Sequence, residues 1–146
     1  MDTSGFVLAA LATSKGETWT PVQVQKFFFL LDRKLGGQIG GPFFDFRAYD
    51  YGPFDAAVCE QIEALEQQRL ASVIRPEFGK KTYGLTATGQ TRGENVLDGL
   101  AAPVRDYVVA LGQWVRTRSF AELVSAIYQQ FPEMKARSVF REFSAA

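Results

Sequence analysis

Tyr49, Asp50 and Tyr51 stand directly before Gly52-Pro53, and together could line a pocket with two rings, two hydroxyls and a carboxylate. The competing reading is that the rings pack the turn and the segment caps the helix after it. Cys59, the sole cysteine, lies between Val58 and Ile62 and reads as a small buried or half-buried hydrophobe, not a reactive thiol. Histidine is absent, so neither a Ser-His-Asp nor a Cys-His group can form, and the usual zinc sites are excluded. The run Gly36-Gly37-Gln38-Ile39-Gly40-Gly41 is rich in glycine. It lacks the lysine and following Ser or Thr of a phosphate loop, so it reads as a connection. No two carboxylates stand out as an acid/base couple. The chain is therefore expected to be no enzyme and to use no cofactor or metal.

The charges divide along the chain. Asp45, Asp50, Asp55, Glu60, Glu63 and Glu66 outnumber Arg47 and Arg69, giving the stretch 45–69 a local charge of about −4. Arg75, Lys80, Lys81 and Arg92 against Glu77 give the following stretch about +3. Formal net charge is zero, so no global field draws the protein to nucleic acid. Arg116, Arg118, Lys135, Arg137 and Arg141 are interleaved with Trp114, Phe120 and Phe140. That pattern suits single-strand stacking, and equally the edges of amphipathic helices.

Several elements must position these groups. Phe6 to Thr13 reads as a first helix. Thr20 as N-cap, Pro21 at the first helical position and Gln23 three residues after the cap announce the second. Val24, Phe27, Phe28, Leu31 and Leu35 form its buried face. Phe29 and Leu30 fall off that face, which predicts a helix wrapped on more than one side or touching a second chain. Phe44, Phe46 and Ala48 alternate with Asp45, Arg47 and Tyr49, as a short strand would. Pro53 is expected to begin a third helix ending near Leu70, with Phe54, Val58, Ile62 and Leu65 as its stripe. A hairpin follows, Ser72 to Arg75 and Lys80 to Tyr83, with Gly79 at the tip. Thr86 and Gly89 open a fourth helix that Gly89 and Gly93 weaken. Pro103 opens a fifth with Val104, Val108, Leu111 and Val115 on one face. Ser119 and Glu122 form a capping box for a sixth, and Glu133 to Phe143 forms a further helical piece.

Helix, hairpin, helix at this spacing predicts a mainly α fold with a small β-hairpin: a winged helix-turn-helix-like core over residues 1–100 and C-terminal helices over 101–146 of one domain. No run approaches the roughly 20 apolar residues of a membrane span. A single cysteine and a poor match to a signal peptide point to the cytoplasm.

Two pieces resemble the Panacea-type (SocA-like) antitoxin domain over roughly residues 20 to 65. Gln23-Val24-Gln25-Lys26-Phe27-Phe28-Phe29-Leu30 resembles that family's early K-L-Q-K-L-L-Y-F type helix. Tyr49-Asp50-Tyr51-Gly52-Pro53-Phe54 resembles its aromatic-x-Y-G-P segment, with Phe43-Phe44 as the preceding apolar pair. The resemblance implies a small cytoplasmic protein, bacterial or phage-encoded, that neutralises a toxin by direct binding. Tyr51, Gly52 and Pro53 would be signature positions with a mainly structural role.

Two functions follow. The first is a protein-binding, antitoxin-like module that uses Tyr49, Tyr51, Asp55, Glu60 and Glu63 against a toxin-like partner. The second is a winged-helix DNA-binding regulator that grips the backbone through Arg75, Lys80 and Lys81 as a homodimer. An acidic third helix disfavours groove reading, since phosphate contacts dominate DNA affinity.

Overall fold

The computed structural model describes residues 1–140; Arg141 and the last part of the expected C-terminal helical piece lie outside them. Six α-helices and two small antiparallel hairpins follow one another: α1 (Thr3–Ala12), α2 (Pro21–Leu35), β1 (Arg47–Tyr49), β2 (Gly52–Phe54), α3 (Ala56–Gln67), β3 (Ala71–Ile74), β4 (Thr82–Leu85), α4 (Ala87–Asp98), α5 (Ala102–Thr117) and α6 (Phe120–Gln130). The fold is thus mainly α with a small β component. Short 3-10 turns cover Gly36–Gln38 and Pro132–Lys135, so among the described residues the expected piece after α6 is one tight 3-10 turn.

Both expected capping boxes form. Thr20 Oγ1 accepts from Gln23 N, and Ser119 Oγ from Glu122 N, while each N3 side chain reaches back to its cap. Thr86 caps α4 through Gly89 N at 3.1 Å. Trp19, just before α2, exchanges both backbone hydrogen bonds with Tyr83 of β4 at 2.7 and 2.8 Å. That bridge fastens the start of α2 to the β3–β4 hairpin.

α2 is the axis of the core. Its residues from Val24 to Asp32 are all buried, Phe29 and Leu30 included, because α3, α5, α6 and β2 pack around it and Phe6 of α1 meets Phe28. The chain itself therefore wraps the second side of α2, and no second copy is needed to cover it. Aromatic rings supply much of the fill. Trp19 stacks on Phe27 at 5.0 Å, and Phe6 meets both Phe28 and Phe43.

One expectation at the site needs correction. Pro53 does not start α3; it lies in β2, and the helix begins at Ala56 with Asp55 as its N-cap. Gly52 adopts φ +100°, so the chain reverses between β1 and β2 before it can turn helical. Phe54 consequently leaves the buried stripe and is 40% exposed, whereas Val58, Ile62 and Leu65 remain buried.

Asp55 holds this corner with both oxygens. Oδ1 accepts from Ala57 N at 2.9 Å and Oδ2 from Asp45 N at 2.8 Å. Asp55→Ala is expected to cost about 1–2 kcal/mol and Asp55→Asn much less, as read by urea unfolding.

Candidate functional site

Three polar residues of α2 are buried among its phenylalanines, and each grips the passage from Phe43 to Asp55 by its backbone. The Asp32 carboxylate accepts from Phe43 N at 3.0 Å and Phe44 N at 2.9 Å. Its burial pushes its pKa above the usual aspartate range, and those two N–H groups act against that rise. Gln25 reads both backbone groups of Asp55, donating to its carbonyl and accepting from its N–H, each at 3.0 Å. Lys26 Nζ donates to the Pro53 carbonyl at 3.2 Å. Hence α2 places the turn that carries Tyr49 and Tyr51, and buried side chains act as the tether.

Above that tether the surface is aromatic. Tyr49, Tyr51, Phe54 and Phe120 are all exposed large apolar groups. Tyr49 lies 5.4 Å from Phe54, Tyr51 lies 5.1 Å from Phe120, and Phe120 lies 5.9 Å from Phe140. Between them opens a cleft of about 610 Å³, walled by Thr20 to Gln23 of α2, Tyr51, Lys80, and Arg118, Phe120 and Leu123 at the start of α6. Lys80 Nζ sits 5.9 Å from the Phe120 ring centre. A second pocket of about 240 Å³ shares Pro21, Val22 and Tyr51 with the first and extends to Gln25, Lys26, Gly52 and Phe54. Tyr51 is the ridge between the two.

The expected site residues come together only in part: Tyr49 and Tyr51 both line the smaller pocket. Tyr51 and Lys80, from the two different functional readings, meet in the large cleft. Tyr49 and Asp55 share a shallower depression with Arg137, whose guanidinium lies 5.5 Å from the Tyr49 ring centre. Glu60 and Glu63 of α3 line neither opening; Glu60 is exposed and Glu63 half-buried. Arg75 is bound to Glu66 by two 3.0 Å hydrogen bonds, which lower the Glu66 pKa and leave that guanidinium less free for phosphate. Lys81 is exposed in the turn of the hairpin, just before β4. Cys59 Sγ lies 3.4 Å from the Tyr83 hydroxyl and 3.9 Å from Gln25 Nε2, inside the packing between α2, α3 and β4.

No protein-family model and no curated protein matches this chain. The functional reading therefore rests on the residues and their geometry.

Sequence reasoning passed over Lys26 and gave Phe120 only a place in a charged, aromatic pattern. No periodic signal marked Lys26: at 100° per residue it falls nearly opposite the face formed by Val24, Phe27, Phe28, Leu31 and Leu35, and only the chain packed over that second side of α2 buries it. The hairpin tip carries Phe78, 85% exposed, for which nothing in the structure gives a role.

Proposed function

We propose that this chain is a non-enzymatic protein-binding module of antitoxin type that docks a segment of a toxin-like partner in the cleft between Tyr51, Lys80 and Phe120. One observation carries the reading. Two exposed aromatic rings in edge contact, Tyr51 and Phe120, border a cleft rimmed by Lys80 and Arg118, the combination of apolar anchor site and peripheral charge that interface cores and rims use. The complement is a partner segment with an aromatic or aliphatic anchor flanked by acidic residues. This moves the expected surface from the acid-rich α3 towards the turn and the start of α6. The run of α3, the β3–β4 hairpin and α4 supports a winged-helix core as the scaffold. A single cysteine supports a reducing cytoplasm as the workplace. No helix among the described residues is long and apolar enough to cross a membrane.

The runner-up is the winged-helix regulator that contacts DNA through Arg75, Lys80 and Lys81. One experiment separates the two. The tagged protein is captured from its native lysate with and without nuclease, alongside Tyr51→Ala and a Lys80→Glu/Lys81→Glu double variant. A protein retained stoichiometrically after nuclease, with affinity reduced at least roughly tenfold by Tyr51→Ala, is the expected result. Recovery of nucleic acid instead, lost with rising salt and with the double variant, would transfer the function to the hairpin.

A further inference from the structure

The smaller pocket beside the cleft has a feature that neither docking nor packing requires: a lysine in its wall with almost no partner. Lys26 is 4% exposed. Its ammonium has three N–H groups to satisfy, yet its one protein acceptor among the described residues is the Pro53 carbonyl. None of the four ion pairs among the described residues includes it. A buried cation of this kind is costly without a counter-charge.

The geometry leaves room for one. Gly52, at φ +100°, borders the same pocket of about 240 Å³. A side chain built there would stand 3.6 Å from Nζ and 3.8 Å from Cε of Lys26. With glycine at that position the approach to the ammonium is not covered by a Cβ. Around it the pocket presents Pro21, Val22, Tyr51 and Phe54, an apolar lining suited to an aliphatic or aromatic body.

We propose that the pocket formed by Pro21, Val22, Lys26, Tyr51, Gly52 and Phe54 is a binding site for an apolar carboxylate, with Lys26 as the group that receives the carboxylate. One lysine supplies one positive charge, which matches a monoanion. A phosphate would call for more donors, or for the planar fork of an arginine. Two sources offer this chemistry: the C-terminus of a peptide ending in an apolar residue, and a free aliphatic or aromatic acid. The site stands whether or not the neighbouring cleft docks a protein.

Burial lowers the Lys26 pKa to about 8, so the amine is mostly charged at neutral pH and a bound carboxylate would raise that pKa again. The titratable groups around it are Asp50, Tyr49 and Tyr51 in the pocket wall, Tyr128 of α6 beside Gly52, Lys135 over the Tyr128 ring, and Asp55 and Cys59 through Gln25. Asp50 tempers the affinity for any anion. Affinity should fall about tenfold per pH unit from about pH 8 up to the Lys26 pKa of the complex, as the free amine deprotonates, and level off above it.

The test follows Lys26 directly, by NMR of uniformly labelled wild-type protein, with its ε-carbon signal assigned through bonds from the Lys26 backbone. Hexanoate, N-acetylated Ala-Ala-Leu and the C-terminal amide of that tripeptide are titrated in turn. The expected result is a rise of at least about one unit in the Lys26 pKa with one or both carboxylates, and none with the amide. Affinity is expected to fall at least tenfold in Lys26→Gln. A response to the peptide alone identifies a chain terminus as the source, and a response to hexanoate alone a small acid. An unmoved Lys26 pKa at saturating carboxylate, or equal binding of the amide, would overturn the proposal. The pKa readout uses the wild-type protein, so the test survives if Lys26→Gln fails to fold. It needs no protein partner, so its failure is separate from failure of the docking reading.

Discussion

Replacing Gly89 with alanine is expected to cost roughly 4 kcal/mol or more of folding stability, a loss reserved for severe steric or core defects. Helix propensity alone predicts the opposite sign, since alanine is favoured over glycine by about 1 kcal/mol in a helix interior. The structure reverses that sign. Gly89 lies in the first turn of α4 directly against the chain leaving α3. An added Cβ would overlap the Leu70 carbonyl oxygen and stand 2.8 Å from its carbon. Neither backbone can yield cheaply. The Leu70 carbonyl accepts from Thr86 N at 3.1 Å, and Thr86 caps α4. Moving α4 outward would also part it from α1, its most extensive helix contact. Gly93, one turn on, faces the same constraint: its Cβ would overlap the Leu8 carbonyl oxygen and stand 2.7 Å from Ala12 Cβ. Urea unfolding of Gly89→Ala against wild type decides the matter. A variant as stable as wild type, or more so, would mean that α4 does not pack this closely.

The second large effect is a dependence of stability on alkaline pH. Burial lowers Lys26 from 10.5 in the unfolded chain to about 8 in the folded one. Between these values the unfolded state holds a proton that the native state has released, so stability rises with pH through that window. The full span corresponds to about 3 kcal/mol, at 1.36 kcal/mol per unit. Above pH 10 the rise is opposed. Tyr83, raised first by burial and then by its contact with Cys59, stays protonated when the unfolded tyrosine ionises, and that contribution is lost as pH climbs. Stability is therefore expected to climb from pH 8 and level off or turn over near pH 10.

Lys26→Met should remove the rise between pH 8 and 10. At pH 7 it relieves the buried charge but orphans the Pro53 carbonyl, a cost of about 1–3 kcal/mol. Its stability there should be close to that of wild type or above it. Chemical unfolding at pH 7, 8, 9 and 10 for both proteins reads this directly. A flat wild-type profile would mean that solvent reaches the amine.

The local signals in the sequence were strong wherever a short-range rule governs. Thr20-Pro21 with Gln23, and Ser119 with Glu122, form the capping boxes their spacing announces, because a cap is satisfied within four residues of itself. The β3–β4 hairpin likewise forms around Gly79, but its strands begin one residue before Ser72 and two after Lys80, pairing Ala71 with Leu85 and Ile74 with Thr82; the mainly α content follows from apolar periodicity. Pro53 misled because proline suits the first turn of a helix and a strand beside a glycine turn equally well. Only the pairing of Ala48 with Pro53 and Tyr49 with Gly52 decides between them.

The candidate site was legible in part. Tyr49 and Tyr51 could be singled out because exposed tyrosines next to a Gly-Pro turn are unusual in themselves. That Tyr51 would face Lys80 and Phe120 could not, since those residues are 29 and 69 positions away along the chain, and no periodicity links them. Glycines 89 and 93 looked like weaknesses because propensity concerns a helix alone, whereas here they are the points where α4 meets α1 and the chain leaving α3. Lys26 gave no sign of burial, because charged residues are seldom fully buried and it stands nearly opposite the apolar face of α2. The sequence by itself determined the six helices, the capping boxes at Thr20 and Ser119 and a protein without histidine chemistry, all of which depend on neighbours within a turn or two. Tertiary structure alone decided which buried polar group holds which distant backbone and where a cation is left without an anion. Those outcomes depend on contacts that close long loops, and local pattern carries no record of them.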